Sequence, residues 1–122
     1  MVIFDTNILI EVHRGNLVVK EEIQHLQSTV FYISAITTAE FLVGAKNKED
    51  LKRIERQLSE YTSIPVNAGV TDIFVDLFRS YSLSHRRDIP DAFIAATALY
   101  YQLPLYTYNK KHFRFIPGIE LI

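Results

Sequence analysis

The first ten residues constrain the fold more than any other stretch of the chain. A short apolar run, Val-Ile-Phe at positions 2–4, ends directly on the carboxylate of Asp5, and the polar residues Thr6 and Asn7 follow. A continuous apolar run is typical of a buried parallel strand, because helices cover both faces of such sheets. Open α/β sheets bind their ligands outside the carboxyl ends of the strands. The sequence therefore predicts that Asp5 lies where a fold of this kind binds its ligand.

The rest of the chain alternates short apolar strands with segments of helical periodicity. Further strands are predicted at 30–33, 63–66 and 105–107, and at 119–122 on the edge of the sheet. Helices are predicted at 6–12, 19–26, 36–43, 47–61, 70–81 and 90–101. This alternation predicts the α/β class: one domain over residues 1–122, with a central, mostly parallel sheet of four to five strands and helices on both faces.

Composition excludes several classes of function. The 122 residues include no cysteine, which rules out a disulfide scaffold, a thiol nucleophile and a thiolate zinc site. The N-terminal residues lack the basic and long apolar regions of a signal peptide, and the apolar run at 92–101 is too short to span a bilayer. We therefore expect a soluble, cytoplasmic protein with no membrane partner.

Other polar side chains are expected near Asp5, although each also has a purely structural interpretation. Glu40 lies on a helix that follows the second strand, and it faces either solvent or the same sheet edge as Asp5. Asp91 opens an almost wholly apolar helix, where it either complements the helix dipole in a capping pair with Asp88 or joins the site. Asn109 follows the fourth strand, either as a turn residue or as a neutral oxygen ligand.

Acids that converge at one sheet edge without thiolates favour a hard cation such as Mg²⁺ or Mn²⁺. Such an ion can activate water and orient a phosphodiester, which is the chemistry of nucleic-acid hydrolysis. The formal net charge of the chain is −1, from 13 basic and 14 acidic residues. If Asp5, Glu40 and Asp91 hold a cation, 13 basic residues face 11 acidic ones. The resulting mildly basic surface is compatible with a polyanionic substrate.

Four motifs, in order along essentially the whole chain, together resemble a PIN domain, and most closely the VapC-type toxin ribonucleases of bacterial toxin–antitoxin pairs. The motifs are VIFDTN at 2–7, ISAITTAEFLVG at 33–44, IPDAFIAATA at 89–98 and LYTYNKKHF at 105–113. The resemblance implies a doubly wound sheet and an endoribonuclease that uses Mg²⁺ or Mn²⁺ to hydrolyse RNA. It also implies a cognate antitoxin protein as partner, and a homodimer.

The resemblance also implies roles for individual residues. Asp5, Glu40 and Asp91 match the three main acids, which bind the metal, and Asn109 is expected to help position the substrate. Where the family often carries a fourth acid, this chain has Asn109 and His112, neither of them acidic. A wider set is expected to position or contact the RNA: Thr6, Asn7, Asp88, Thr107, Arg86, Arg87, Lys110, Lys111, His112 and Arg114.

Two other classes of function remain open from the sequence. One is phosphotransfer through an aspartyl phosphate on Asp5, as in haloacid-dehalogenase-like phosphatases, which normally carry a second aspartate where this chain has Asn7. The other is a PIN-like module that binds without catalysis. The apolar residues Phe41 and Leu42 have two interpretations as well: an interface for a dimer or antitoxin, or part of the core.

Overall fold

The computed structural model describes residues 1–26, 28, 30–85 and 88–122, and strands alternate with helices through them. The strands are β1 (Val2–Phe4), β2 (Phe31–Ser34), β3 (Thr62–Ile64) and β4 (Leu105–Tyr106). The helices are α1 (Thr6–His13), α2 (Leu17–His25), α3 (Ala35–Val43), α4 (Lys48–Leu58), α5 (Ala68–Tyr81) and α6 (Ile89–Tyr101). A 3₁₀ turn at Lys110–His112 follows β4. The α/β class, the four-stranded sheet and the helical periodicities are thereby confirmed.

All four strands run parallel, in the order β3-β2-β1-β4. The chain moves outward from β1 to β2 and β3 and then crosses back to place β4 on the other side of β1. The crevice of a doubly wound sheet opens where the strand order reverses. Here that point lies between the carboxyl ends of β1 and β4, so Asp5 and Thr107 emerge side by side.

Successive residues of β1 point to opposite faces of the sheet, and both faces are covered by helices. Ile3 joins a core with Leu105 and the buried residues of α5 and α6. Val2 and Phe4 join a second core that α1–α4 complete. Burial on both faces explains why the strand is apolar throughout rather than alternating.

Helix α6 is buried almost all round, as its composition predicts. Ala92 and the run 94–98 are buried, and the small alanines let the helix approach α5, α3 and β2 closely. Pro90 stands in the first turn, and the Asp88 carboxylate caps the helix by accepting a hydrogen bond from the Asp91 N–H at 3.1 Å. Within the described residues, no helix combines the length and apolar character needed to cross a bilayer.

The structure corrects two details of the sequence analysis and decides between the two interpretations of Phe41. The third strand was predicted at 63–66 but spans Thr62–Ile64, because Pro65 has no N–H to extend the ladder. In place of a fifth strand at 119–122, the chain makes one parallel bridge between Leu105 and Leu121. Phe41 is buried in the second core, which excludes it from an exposed interface.

Candidate active site

Asp5 is a buried carboxylate at the end of β1, with 2% of its surface exposed. The Thr107 hydroxyl donates to Asp5 Oδ2 at 2.8 Å, across the gap between β1 and β4. Burial raises the pKa of Asp5, while the Thr107 hydroxyl, the Thr6 backbone N–H and the nearby His112 act in the opposite direction. Thr107 therefore fixes the orientation of a carboxylate that is costly to keep charged.

Glu40 reaches the same edge of the sheet from α3. The Thr6 hydroxyl donates to Glu40 Oε1 at 2.7 Å and lies 3.0 Å from the buried Thr37 hydroxyl. A hydroxyl carries one hydrogen, so Thr37 is the donor in the second contact. Desolvation raises the pKa of Glu40 against the effect of the Thr6 hydrogen bond, and Asp88 and Asp5 raise it further. Glu40 thus shares the electrostatic field of Asp5.

Asp91 completes the group from the first turn of α6. The pKa of Asp91 is raised to about 6, mainly by desolvation and further by the negative charges of Asp5 and Asp88. His112 Nδ1 lies 3.3 Å from Asp91 Oδ2 and partly counteracts the shift. Asp91 therefore lies close enough to Asp5 for their charges to repel each other.

These three carboxylates fit a hard divalent cation by their chemistry. Each has a raised pKa, mainly because it is desolvated, and a bound cation would remove the remaining mutual repulsion. Among the described residues, no three His, Cys, Asp or Glu side chains are arranged closely enough to hold a metal ion unaided. Mg²⁺ does not require such a cage, because it usually keeps several waters and uses one or two carboxylates with substrate phosphates. A cation here would therefore be held by one or two of these carboxylates together with water and substrate phosphate.

The remaining predicted site residues fall into four groups. Thr6 and Thr107 bond directly to the acids, and the Asn109 N–H donates to the Thr107 hydroxyl at 2.9 Å. Asn7 is exposed on α1. The cations and His112 that follow β4 are exposed on one short segment: Lys110, Lys111, His112 and Arg114. Arg86 and Arg87 lie outside the described residues.

Sequence reasoning did not identify Thr37, which supports the Thr6–Glu40 contact from a fully buried position. A signal was nevertheless available. Thr37 precedes Glu40 by three residues on a helix, and residues at that spacing share a face. The position of Thr37 one turn before Glu40 therefore indicated that it lies near the Thr6–Glu40 contact.

We expect Asp91→Asn to stabilise the metal-free protein at pH 7.5 and to have little effect at pH 4. The pKa of Asp91 is about 6 in the folded chain, against an ordinary value of 3.8. The folded state therefore holds more protons between these values, and the contribution of Asp91 to stability falls as pH rises through that window. The variant removes this loss. Its free energy of unfolding should therefore exceed that of the wild type by roughly 1–2 kcal/mol, which corresponds to about 5 °C in Tm.

Thermal unfolding in chelator at several pH values measures this gain. Asp76→Asn serves as the matched control, because the Asp76 side chain is 70% exposed and pairs only with Arg79 among the described residues. A gain for Asp91→Asn that is equal at pH 4 and pH 7.5 would contradict the raised pKa.

Comparison with known proteins agrees with this architecture. The family model described as PIN domain matches residues 2–117. Ribonuclease VapC of Rickettsia bellii (strain RML369-C) is 30% identical, with 98% of this chain and 93% of the relative covered. Ribonuclease VapC1 of Rickettsia felis (strain ATCC VR-1525 / URRWXCal2) is 31% identical with the same coverage.

Among solved structures, a chain of a toxin-antitoxin complex from Klebsiella pneumoniae is 34% identical, with a TM-score of 0.83 over 100% of this chain and 96% of that one. The agreement thus extends over the whole sheet and over the elements that carry Asp5, Glu40 and Asp91. The chain belongs to the PIN domain family and, within it, to the VapC proteins.

Proposed function

We propose that this protein is a metal-dependent endoribonuclease that hydrolyses RNA phosphodiester bonds with water as the nucleophile. The observation that carries the proposal is the group of Asp5, Glu40 and Asp91, three carboxylates with raised pKa values at one sheet edge. Perturbed acids in a crevice are characteristic of functional sites. The names of the two rickettsial relatives, both called ribonuclease, support the reaction class.

Asp5 and Asp91 are the residues that we assign to hold Mg²⁺ or Mn²⁺. The ion would supply Lewis-acid stabilisation of the phosphate and activation of water. Glu40 would bind the ion or an adjacent water molecule through the oxygen that Thr6 does not occupy. Thr107 holds Asp5 and Thr6 holds Glu40, so each acid keeps one orientation while the substrate binds. The proposed ion is Mg²⁺ or Mn²⁺.

The segment after β4 is suited to hold the RNA backbone beside these acids. Lys110, Lys111 and Arg114 are exposed there, and cations of this kind position nucleic acids through their phosphates. Asn109 is tied to Thr107 through its backbone, which brings its amide near the same edge. His112 contacts Asp91 and completes the segment on the side of α6.

We further propose that the protein is the toxin of a toxin–antitoxin pair, with a cognate antitoxin protein as partner. The structure from Klebsiella pneumoniae to which the chain is similar is a toxin-antitoxin complex. Homodimer formation remains a prediction alongside this. Co-expression with the protein encoded by the neighbouring gene, followed by purification through a tag on one chain, tests the pairing, and a partner that does not co-purify would contradict it.

The direct test of the proposed reaction is incubation of the purified protein with labelled single-stranded RNA in Mg²⁺ or in Mn²⁺. We expect endonucleolytic products with either or both ions. Intact RNA under both conditions would favour the alternative of a PIN domain that binds without catalysis. An aspartyl-phosphate phosphatase would instead yield a trapped phosphoenzyme on Asp5, which we do not expect.

A further inference from the structure

A cavity lies between α2 and the end of β4, next to Thr107. Its volume is about 560 Å³, within the range of cavities that bind small organic groups. Val18, Leu26 and Ile122 provide its apolar surface, while Glu22 and Tyr108 provide polar groups. We call this cavity the tyrosine–glutamate cleft.

Glu22 is held in one orientation at the cleft. The Tyr106 hydroxyl donates to Glu22 Oε2 at 2.5 Å, and the Tyr108 hydroxyl donates to the same oxygen at 2.7 Å. These hydrogen bonds, with that from Tyr106 the stronger influence, lower the pKa of Glu22, so the side chain is an ionised acceptor at neutral pH. Among the described residues no donor contacts Oε1, which leaves that oxygen available to a ligand.

Tyr108 is held beside the carboxylate by the hydrogen bond that its hydroxyl donates. Tyr106 lies next to Tyr108 at the cleft, with 5.8 Å between the two ring centroids and the rings nearly perpendicular. The Tyr106 ring is buried and packs against Phe4. Tyr108 is nevertheless 47% exposed. A half-exposed aromatic side chain whose hydroxyl is held by a hydrogen bond is the kind of platform on which single-stranded RNA stacks its bases.

The cleft adjoins the candidate active site through Thr107. This residue lies between the two tyrosines in the chain, lines the cleft and donates to Asp5. Lys110, the next cation along the segment, lines the cleft as well and is exposed. A nucleotide with its base in the cleft would therefore have its phosphate close to Asp5 and Lys110.

We propose that the tyrosine–glutamate cleft binds one nucleobase of the RNA substrate next to the cleaved bond, and that Glu22 selects a base with an exocyclic amine over uracil. This inference rests on the proposed ribonuclease function. Tyr108 stacks on the base and Glu22 Oε1 accepts a hydrogen bond from the amine of adenine, cytosine or guanine. Uracil offers one N–H between two carbonyl oxygens, and both oxygens would face the carboxylate.

The charges at the cleft favour a base over a phosphate. Glu21 and Glu22 both line it, and their carboxylates repel phosphate groups, whereas a neutral base with N–H donors meets an acceptor. Lys110 lines the same cavity, as does His25, and the ammonium group of Lys110 is available to a flanking phosphate. The contact with the base therefore determines the sequence specificity, and the contact with the phosphate positions the RNA backbone.

The test is cleavage of RNA oligonucleotides that are randomised on both sides of the cleaved bond, with sequencing of the product ends. We expect wild-type protein to disfavour uracil about tenfold at one flanking position, and Glu22→Gln to reduce this to about twofold, because the amide also donates to carbonyl oxygens. Tyr108→Ala should raise KM about tenfold for all bases, with kcat within about threefold.

Two matched controls separate these effects from general changes in the protein. Tyr100→Ala removes a ring of similar exposure, 46%, near the far end of α6, and Glu55→Gln makes the same charge change on α4. Both controls should retain the wild-type preference and KM. An unchanged preference in Glu22→Gln and an unchanged KM in Tyr108→Ala would overturn the proposal. So would variants that cleave RNA normally but resist the antitoxin, because the cleft would then belong to the protein partner.

A binding measurement keeps this inference distinct from the proposed reaction. Fluorescence anisotropy with the Asp5→Asn protein and a labelled RNA of mixed sequence reports binding without cleavage. Adding Tyr108→Ala should weaken binding about tenfold, whereas adding Tyr100→Ala should not. Absence of cleavage by the wild type would refute the proposed reaction, and equal binding by the two double variants would refute the cleft.

Discussion

Asp5→Asn is expected to lower the rate of RNA cleavage by about a thousandfold, the largest effect that we predict for a single substitution. The change removes one negative charge from the crevice at the carboxyl ends of β1 and β4 and keeps the size of the side chain. Lewis-acid stabilisation by a bound metal amounts to several kcal/mol, and about 4 kcal/mol corresponds to a factor of a thousand in rate. Cleavage of labelled RNA under single-turnover conditions measures the loss.

The fold should tolerate this substitution. The Thr107 hydroxyl can donate to the amide oxygen as it does to Asp5 Oδ2, and the variant no longer holds a charge in a desolvated position. We therefore expect a Tm equal to or above that of the wild type. Asp76→Asn, the same change on an exposed side chain, is the matched control and should cleave normally. Near-normal cleavage by the folded Asp5→Asn protein would remove Asp5 from the reaction.

Much of the fold could be predicted because its strands carry local signals. The apolar run at 2–4 predicts a strand buried on both faces, and this prediction is confirmed. The edges of the sheet were less predictable. The segment at 119–122 has the residues of a strand but makes a single bridge, because pairing with Leu105 is determined by long-range geometry rather than by local propensity.

The candidate site was predictable to the extent that strand ends and helix starts place its acids. Asp5 follows β1, Asp91 lies in the first turn of α6, and Glu40 lies on the helix that follows β2, so a common site at one edge of the parallel sheet is expected. The groups that orient them were harder to find. The bond between Thr107 and Asp5 joins residues 102 positions apart, and the bond between Thr6 and Glu40 joins residues 34 positions apart.

That difference explains why the tyrosine–glutamate cleft was not anticipated. In the sequence, Glu22 is one of many helical acids, Tyr106 lies in the predicted fourth strand, and Tyr108 directly follows that strand. Only the packing of α2 beside the end of β4 brings the two hydroxyls to one carboxylate oxygen. Sequence patterns identify which residues share an element, whereas crossover connections decide which elements meet.

Removal of divalent metal is expected to have an effect on cleavage as large as that of Asp5→Asn. Chelator should reduce cleavage by about a thousandfold, and excess Mn²⁺ or Mg²⁺ should restore it, because the same interaction is lost and regained. A second readout does not depend on activity. A metal that binds only the folded state stabilises it by about 2.7 kcal/mol at a concentration a hundred times its Kd, so the wild-type Tm should rise as metal is added.

The source of that rise can be traced to the carboxylates themselves. Without metal, Asp5 and Asp91 raise each other's cost of ionisation in a desolvated site, and a cation between them reverses the sign of the interaction. The double variant Asp5→Asn/Asp91→Asn should therefore begin with a higher Tm in chelator than the wild type and gain nothing when metal is added. Asp76→Asn should gain as much as the wild type. Equal gains in the double variant and the wild type would place metal binding elsewhere, and undiminished cleavage in chelator would exclude metal from the reaction.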